Sequence, residues 1–384
     1  MASNFTNGTR TNLREIEYQR FLEKDIPATL FLIFLSVIGT IGNIHTILVY
    51  ILSPIMAKYS VRVFIIWLAF IDLTACVFCM PFEIFDIRYD YTFSSVGACK
   101  FFKFLNHVVT GASSILLTTI AIERYRIFVK NLPILITNSQ RPNVISAVLV
   151  GLSMILSIPV LIYYGVNDKE TNIFGLMGKE CRLDPVYENI RYIGIYYSIT
   201  LFIGLVCVVM CIVSYGKILN EICTRKEWRK SIRKRSVSSL NSTSDIRSGT
   251  TQITSTIQNE AVKLNKLHPG TCDRSNKKST RSSHNLGNAI RLTISLMIAT
   301  AVSYIGNMLY VFAKMVQILN PKMYQNSILP VSDIIGRGYF VNNASNPVVF
   351  CLLDRTFRQE CLKLYGKICS KKIIHRNKKW SDLL

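Results

Sequence analysis

The stretch from Cys99 to Arg126 decides the fold, and it reads CKFFKFLNHVVTGASSILLTTIAIERYR. It is mostly apolar, begins with a cysteine and ends with an acid–base–aromatic triplet, Glu123, Arg124 and Tyr125. At about 1.5 Å per helical residue, the distance from Cys99 to Arg124 is roughly 37 Å, which suits a tilted helix that crosses a bilayer. The cysteine is therefore expected at one face of the membrane and the charged triplet at the other.

The composition of the whole chain also indicates a membrane protein. Of its 384 residues, 50% are hydrophobic and 18% are charged, whereas a soluble domain carries about 25% charged residues. The net charge of +22 is of the size found in nucleic-acid-binding proteins. However, the basic residues form short blocks between apolar runs, as the positive-inside rule predicts. No nucleic-acid-binding module is recognisable, so nucleic acid is not expected as a partner.

Seven apolar stretches follow a polar N-terminal segment, 1–26. Because the basic residues concentrate in every second connection and in the C-terminal segment 353–384, the N-terminus is expected outside the cell and the C-terminus in the cytoplasm. The first apolar run is too long for a cleavable signal peptide. Most of the stretches reach the roughly 20 residues that a spanning helix needs. The predicted spans are 27–52, 62–84, 99–125, 143–164, 192–217, 289–314 and 329–352.

The connection between the fifth and sixth spans, 218–288, is rich in Ser, Thr, Lys and Arg. Its low hydrophobicity predicts a disordered cytoplasmic loop except near its ends.

The third apolar stretch resembles the third transmembrane helix of the rhodopsin-like (class A) G-protein-coupled receptors. Other stretches match the same family: Gly-Asn at 42–43, LAFID at 68–72 and NPVVF at 346–350. Phe357 matches the aromatic residue of the short helix that follows the last span. The resemblance covers the chain from 27 to 352 apart from the long loop. It implies an all-α fold, a seven-transmembrane helix bundle with a short amphipathic helix after the last span, in the plasma membrane.

The resemblance implies that the cytoplasmic end couples to a heterotrimeric G protein, with arrestin and receptor kinases as further partners and lipids around the bundle. Arg124 would pair with Glu123 at rest and become exposed when the inner ends of spans five and six move. The residues that match the coupling positions are Glu123, Arg124, Tyr125, Tyr215, Asn346, Pro347 and Phe350.

Covalent modifications are predicted at both surfaces of the membrane. The resemblance implies a disulfide between Cys99 and Cys181, both on the oxidising side, although two free thiols are the alternative. Asn4 and Asn7 head glycosylation triplets. The basic, partly apolar setting after span seven predicts palmitoylation, with unmodified thiols as the alternative. The two cysteines concerned are Cys361 and Cys369.

A buried sodium ion is the only cofactor that the resemblance implies. The matching positions are Asp72, Ser113, Asn342 and Asn346. A carboxylate with hydroxyl and amide oxygens can hold a hard cation, but a protonated or water-paired Asp72 is the alternative.

The ligand is expected to be a peptide, most simply a neuropeptide. Amine receptors carry a carboxylate where this chain has Asn106, and opsins need a lysine that 329–352 lacks. The outer ends of the spans offer charges of both signs with aromatic residues, although each of these could form a salt bridge within the bundle instead. The candidate ligand-binding residues are Glu83, Asp86, Lys103, Asn106, His107, Thr110, Tyr304, Asp333 and Arg337.

Other functions are weaker alternatives. A receptor for a non-peptide small molecule and a non-coupling receptor both stay open. A transporter or channel fits less well because no internal repeat is evident. No H-E-x-x-H or G-x-S-x-G motif indicates an enzyme.

Several positions depart from the family pattern. Tyr304 and Gly306 stand where span six of the family has a tryptophan and a proline, and Phe350 replaces a tyrosine. Cys207 stands at the proline position of span five, and the tryptophan of span four is absent. Because glycine loosens a helix without forcing a kink, these changes predict a divergent activation mechanism.

Overall fold

The computed structural model describes residues 13–130, 141–171, 175–184, 186, 191–246, 272–319 and 334–366. Most of the described chain lies in long helices. They are α1 (Leu13–Leu52), α2 (Arg62–Arg88), α3 (Val96–Phe128), α4 (Arg141–Tyr163), α5 (Arg191–Ile246), α6 (Cys272–Leu319), α7 (Val341–Leu353) and α8 (355–366). One hairpin, of β1 (Tyr164–Glu170) and β2 (Met177–Leu183), follows α4. The fold is therefore a helix bundle, and the hairpin is a departure from a purely α-helical prediction.

By length and composition, six helices of the described chain can cross a membrane, namely α1 to α6. In α5 and α6 the apolar parts are Ile193–Thr224 and Gly287–Tyr310. The helix α7 is shorter than the predicted seventh span because a turn at Arg337 and a 3-10 turn, Gly338–Phe340, precede it. The residues 320–333 lie outside the described chain.

Two predicted non-helical segments are partly helical. The helix α1 begins at Leu13, within the segment 1–26 that was predicted to be a tail. Helices α5 and α6 extend to Ile246 and begin at Cys272, inside the loop 218–288 for which little regular structure was predicted. Arg, Lys and Glu are good helix formers, so a polar segment can prolong a spanning helix without an apolar face.

Prolines change the geometry of α1 and α2 at the end of the bundle that carries Cys99, which is called the outer end because it is predicted to face outside the cell. A π-helical turn at Phe21–Asp25 precedes Pro27, and another at Ala75–Cys79 precedes Pro81. Proline removes a backbone donor, and a wide turn before it relieves the clash with the preceding carbonyl. In α2 the bulge shifts the register of the outer half of the helix, which carries the acidic candidate residues.

The core of the bundle lies between α1, α2, α3, α6 and α7. Its largest fully buried side chains include Leu68, Ile120 and Phe340. Apolar side chains such as Ile155 on α4 and Phe202 on α5 point outward, with 64% and 67% of their surface exposed. Such an apolar exterior is expected where lipid surrounds the bundle.

Glycine allows α6 to approach α7 closely. A Cβ atom at Gly306 would lie 2.9 Å from the carbonyl oxygen of Gly338. Gly306 thus sets the spacing of α6 against the turn that begins α7, at the position where the family has a proline.

Candidate functional site: the two ends and the polar centre of the bundle

The disulfide between Cys99 and Cys181 ties the start of α3 to β2. Both cysteines are buried, beside Phe82 and Phe93. This agrees with the predicted bridge. The hairpin therefore lies over the outer end of the bundle.

The hairpin is also bound to the loop between α2 and α3. Lys169 on β1 pairs with Asp90 at 2.6 Å and with Glu180 at 2.8 Å. The backbone N–H of Lys179 donates to the carbonyl of Tyr91 at 2.8 Å. These contacts fix the hairpin independently of the disulfide.

The outer part of α1 packs against the same loop. The buried carboxylate of Glu17 accepts hydrogen bonds from the backbone N–H groups of Tyr91 and Thr92, at 2.9 and 3.0 Å, and from the Thr92 hydroxyl. Arg20 pairs with Asp90 at 3.0 Å. This docking could not be predicted from the sequence, because a charged segment before an apolar run also fits a free tail.

Four of the predicted ligand-binding residues form ion pairs with one another. Lys103 on α3 lies 2.7 Å from Glu83 and 2.9 Å from Asp86, both on α2. Arg337 lies 3.9 Å from Glu83. The alternative of a salt bridge within the bundle therefore holds for this set. Two acids and two bases neutralise one another, so the site presents paired charges rather than a net charge.

Asn106 and its neighbours line the bundle just below this ion cluster. The Asn106 amide donates to the hydroxyl of Tyr339 at 2.7 Å. Its buried Oδ1 has no hydrogen-bond partner in the described part of the chain. His107 bonds through Nδ1 to the carbonyl of Lys103, and its ring meets that of Tyr164 at 6.0 Å between centroids.

Two further ligand candidates stand apart from this contact set. Thr110 is half-buried on α3, one turn below Asn106, and Asp333 lies outside the described residues. Tyr339 and Tyr164 were not predicted, because only the folded chain brings them to the site. The one available signal was an aromatic residue two positions after Arg337.

Tyr304 lies deeper in the bundle than the other candidate ligand-binding residues, and its hydroxyl makes hydrogen bonds to α3. Its buried hydroxyl lies 2.7 Å from Oγ1 of Thr118 and donates to the carbonyl of Ser114 at 3.1 Å. The thiol of Cys211 on α5 contacts the same Thr118 hydroxyl at 3.7 Å. Tyr304 therefore joins α6 to α3 beside α5.

The polar centre of the bundle surrounds Asp72, which is fully buried. Its carboxylate accepts hydrogen bonds from Asn346 at 2.7 Å, Asn343 at 2.9 Å and Ser113 at 3.2 Å. Asn342 donates to Ser113 at 3.1 Å instead of contacting Asp72. Asn343, which the predicted set lacks, is therefore a direct partner of Asp72, and Asn342 lies beside it through Ser113.

The donor set around Asp72 fits a small cation. The amide oxygens of Asn342 and Asn346 are buried without a hydrogen-bond partner among the described residues. Together with the carboxylate and the Ser113 hydroxyl they supply the hard oxygen ligands that such an ion prefers.

At the inner end of α3, Arg124 is buried and does not pair with Glu123. Nε and Nη2 of Arg124 and Oε1 of Glu123 have no hydrogen-bond partner in the described chain. Successive residues of a helix point in directions about 100° apart, so adjacent side chains do not face each other. The predicted resting pair is therefore not hydrogen-bonded in this structure and stays a prediction.

The other predicted coupling residues make contacts between neighbouring helices. The hydroxyl of Tyr215 on α5 lies 3.3 Å from that of Thr300 on α6. Lys217 lies over the ring of Tyr125 at 5.6 Å. A Cβ atom at Gly42 would lie 2.6 Å from Pro347, which shows how closely α1 and α7 pack.

The helix α8 is anchored to the inner end of the bundle. Phe350 and Phe357 pack with their ring centroids 6.1 Å apart. Ser53, after α1, donates to Glu360 at 2.6 Å. Burial raises the pKa of the half-buried Cys361 thiol to about 11. The other predicted modification sites, Asn4, Asn7 and Cys369, lie outside the described residues.

This arrangement belongs to a known class of membrane protein. A match to the 7 transmembrane receptor (rhodopsin family) covers residues 42–350. The chain therefore belongs to this family: it is a multi-pass membrane receptor and not an enzyme.

The chain is similar to several curated receptors of this family. It is 24% identical to the human cholecystokinin receptor type A over 350 residues, which is 86% of this chain and 79% of that receptor. It is 26% identical to neuropeptide Y receptor type 1 of Xenopus laevis over 209 residues, 51% of this chain and 54% of the relative. It is 32% identical to the human neuromedin-U receptor 1 over 145 residues, 37% of this chain and 33% of the relative.

Proposed function

We propose that the chain binds an extracellular peptide, of the neuropeptide class, and activates a heterotrimeric G protein at its cytoplasmic end. Its N-terminus lies outside the cell. The observation that carries the peptide assignment is the outer ion cluster above Asn106. Paired charges of both signs, with an unpartnered amide oxygen and tyrosine hydroxyls, suit a ligand that brings N–H donors, carbonyl acceptors and charged side chains.

The relatives support this proposal. They are named as receptors for cholecystokinin, neuromedin U and neuropeptide Y. The hairpin supports it as well, since the disulfide and the Lys169 ion pairs hold it as a fixed rim.

Arg124 is the residue proposed to carry coupling. Nε and Nη2 of its buried guanidinium have no hydrogen-bond partner among the described residues, so few contacts tie the group to the resting fold. A motion of α5 and α6 that breaks the Tyr215–Thr300 contact would open the inner end and expose it. Arrestin and receptor kinases would use the same face.

The Asp72 cluster is proposed to hold sodium in the resting receptor. Asp72, Ser113, Asn342, Asn343 and Asn346 would hold the ion, which supplies positive charge beside the buried carboxylate. Because these residues lie on α2, α3 and α7, a bound ion would favour the arrangement that joins the three helices.

The test is G-protein activation in cells that express the chain, screened against a neuropeptide library. Arg124→Ala should abolish the response at unchanged surface level, whereas Arg126→Ala, two residues further on the same helix, should keep most of it. Silence toward every peptide, with the receptor at the surface, would overturn the peptide assignment in favour of a small-molecule ligand. A response that Arg124→Ala leaves intact would overturn the coupling role of Arg124.

A further inference from the structure

Arg88 lies among aromatic rings at the outer end of α2. It is the last residue of that helix and is half-buried. Its guanidinium carbon lies 5.2 Å from the ring centroid of Phe21, 5.4 Å from that of Tyr18 and 5.5 Å from that of Tyr89. In the described chain the guanidinium forms no ion pair and no hydrogen bond. The positive charge is therefore held by rings of α1 and α2 and has no anionic partner among the described residues.

The ring contacts leave the hydrogen-bonding groups of Arg88 unused. A cation over a ring is attracted by the charge distribution of the ring and needs no acceptor atom, whereas the five N–H donors of a guanidinium are satisfied by oxygen acceptors. The hydroxyl groups of Tyr18 and Tyr89 likewise make no hydrogen bond in the part of the chain that the structure describes. The cluster thus combines one positive charge with several unused donors, which is the chemistry that recognises a phosphate group.

The length of α2 places Arg88 at the level of the lipid headgroups. Arg62 and Arg88 are the first and last residues of this helix and its only basic residues. At about 1.5 Å per residue they lie roughly 39 Å apart. This distance exceeds the roughly 30 Å of the hydrocarbon core and is close to the thickness of a bilayer with its headgroups. When Arg62 lies at one membrane surface, Arg88 therefore lies at the other.

The aromatic cluster also continues the apolar exterior of the bundle. Exposed apolar side chains follow the outer face of α1 and of α2 without interruption as far as the rings around Arg88. They are Tyr18, Leu22, Leu30 and Phe34 on α1, and Phe78, Phe85 and Tyr89 on α2. Tyrosine is enriched at the level of the headgroups, where its ring contacts acyl chains and its hydroxyl meets polar groups. The surface beside Arg88 is therefore continuous with the surface that lipid covers.

We propose that Arg88, with Tyr18, Phe21 and Tyr89, binds the phosphate group of a phospholipid in the leaflet at the outer end of the bundle. The guanidinium donates a pair of hydrogen bonds to the phosphate oxygens, and the two tyrosine hydroxyls are further donors beside it. The acyl chains of the same lipid lie along the exposed side chains of α1 and α2. Because Tyr18 and Phe21 belong to α1 and Arg88 to α2, the bound lipid holds the outer part of α1 against α2.

The test follows amide hydrogen exchange in 13–25 of the full-length receptor in detergent, because this segment carries two of the rings. The probe is dioleoylphosphatidylcholine, added in increasing amounts. Dioleoylglycerol, which has the same acyl chains without a phosphate, and inorganic phosphate are the two comparison compounds. Arg88→Gln removes the charge, and Arg88→Lys keeps a cation without the planar fork. Arg14→Gln is the matched control, since Arg14 is an exposed arginine one turn before Tyr18.

Phosphatidylcholine should slow exchange in 13–25 of the wild type, and neither comparison compound should do so. Arg88→Gln should raise the lipid concentration that gives half of this protection by about tenfold, as expected for the loss of hydrogen bonds to a charged group. Arg88→Lys should raise it by a smaller factor, because an ammonium group binds phosphate as a point charge. Arg14→Gln should leave it unchanged.

A lipid midpoint that stays at the wild-type value in Arg88→Gln and Arg88→Lys would overturn the proposal. Equal protection by dioleoylglycerol would show that acyl chains alone cover the rings, and protection by inorganic phosphate would assign the site to a free anion; either result contradicts a phospholipid site. Where Arg88→Gln raises exchange in 13–25 before lipid is added, the midpoint of Arg88→Lys decides, because a lysine keeps a cation over the rings. The experiment uses no peptide and no G protein, so its outcome is independent of the proposed function.

Discussion

The hydroxyl of Tyr304 on α6 lies 2.7 Å from Oγ1 of Thr118 on α3, and it also donates to the carbonyl of Ser114 at 3.1 Å. A tryptophan, which the family has at this position, could not make the same hydroxyl contact. The exchange therefore replaces a bulky apolar contact by a polar link between α3 and α6, two helices whose inner ends are proposed to separate during activation.

Tyr304→Phe should weaken the resting arrangement. It removes both hydrogen bonds, at a net cost of about 1 kcal/mol, while Thr118 can still donate to the carbonyl of Ser114. We expect a higher basal rate of nucleotide exchange and a slightly lower melting temperature. The control is Thr119→Val, since the Thr119 hydroxyl bonds only to its own helix at Ile115. Basal activity at or below that of the control would show that Tyr304 does not restrain the resting state.

Gly306→Ala should push α6 away from α7. The new Cβ would lie 2.9 Å from the carbonyl of Gly338, which is backbone and cannot move like a side chain. Overpacking of this kind costs about 1–3 kcal/mol, so the melting temperature of the purified receptor should fall. Gly204→Ala on α5 is the matched control, because its Cβ would meet no atom within 4 Å. Equal melting temperatures for the two variants would contradict the close contact.

The sequence was enough for the bundle, because each span carries its own apolar run and the family residues fix the order of the helices. The disulfide partners and Asp72 were identified for the same reason. The pairing of Glu83, Asp86 and Lys103 could not be predicted from the sequence. The same residue types suit a ligand site and a salt bridge within the bundle, and only the distances between them show that they form ion pairs. Asn343 was missed because two adjacent amides on one helix differ by rotation alone.

The N-terminal helix was missed for a different reason. The contacts that order it are long-range, from Glu17 to residues 91 and 92, and no local pattern in 1–26 announces a buried carboxylate. The hairpin likewise depends on the disulfide and on the ion pair of Lys169 with Asp90, and both join residues that are distant in sequence.

Cys181→Ser should free the hairpin from α3. The bridge closes a sequence separation of 82 residues, and loss of a native disulfide costs about 2–5 kcal/mol in small extracellular domains. We expect lower surface expression and faster hydrogen exchange in β1 and β2, with partial protection from the Lys169 ion pairs. Cys351→Ser, which removes an exposed free thiol, should change neither. Unaltered exchange in Cys181→Ser would mean that the ion pairs alone hold the hairpin.

Glu17→Ala should release the outer part of α1 from the loop between α2 and α3. It leaves the backbone N–H groups of Tyr91 and Thr92 without their carboxylate acceptor, and hydrogen bonds to charged groups contribute about 1.5–3 kcal/mol each. Hydrogen exchange should rise at 89–93 and at the start of α1. Glu23→Ala on the same helix is the control, because Glu23 is exposed. A similar change in both variants would indicate a general loss of helix instead of undocking.

Asp72→Asn should abolish stabilisation of the receptor by sodium. In the wild type, replacing potassium by sodium at constant ionic strength should raise the melting temperature, because an ion that binds only the folded state stabilises it by mass action. Asparagine keeps the size of Asp72 but removes the negative charge that attracts the ion. The comparison of sodium with potassium needs no ligand or G protein, so it tests the ion site around Asp72 separately from signalling. If the wild type has the same melting temperature in sodium and in potassium, the sodium site is contradicted. Asp72 would then act only as a hydrogen-bond acceptor for Asn343, Asn346 and Ser113.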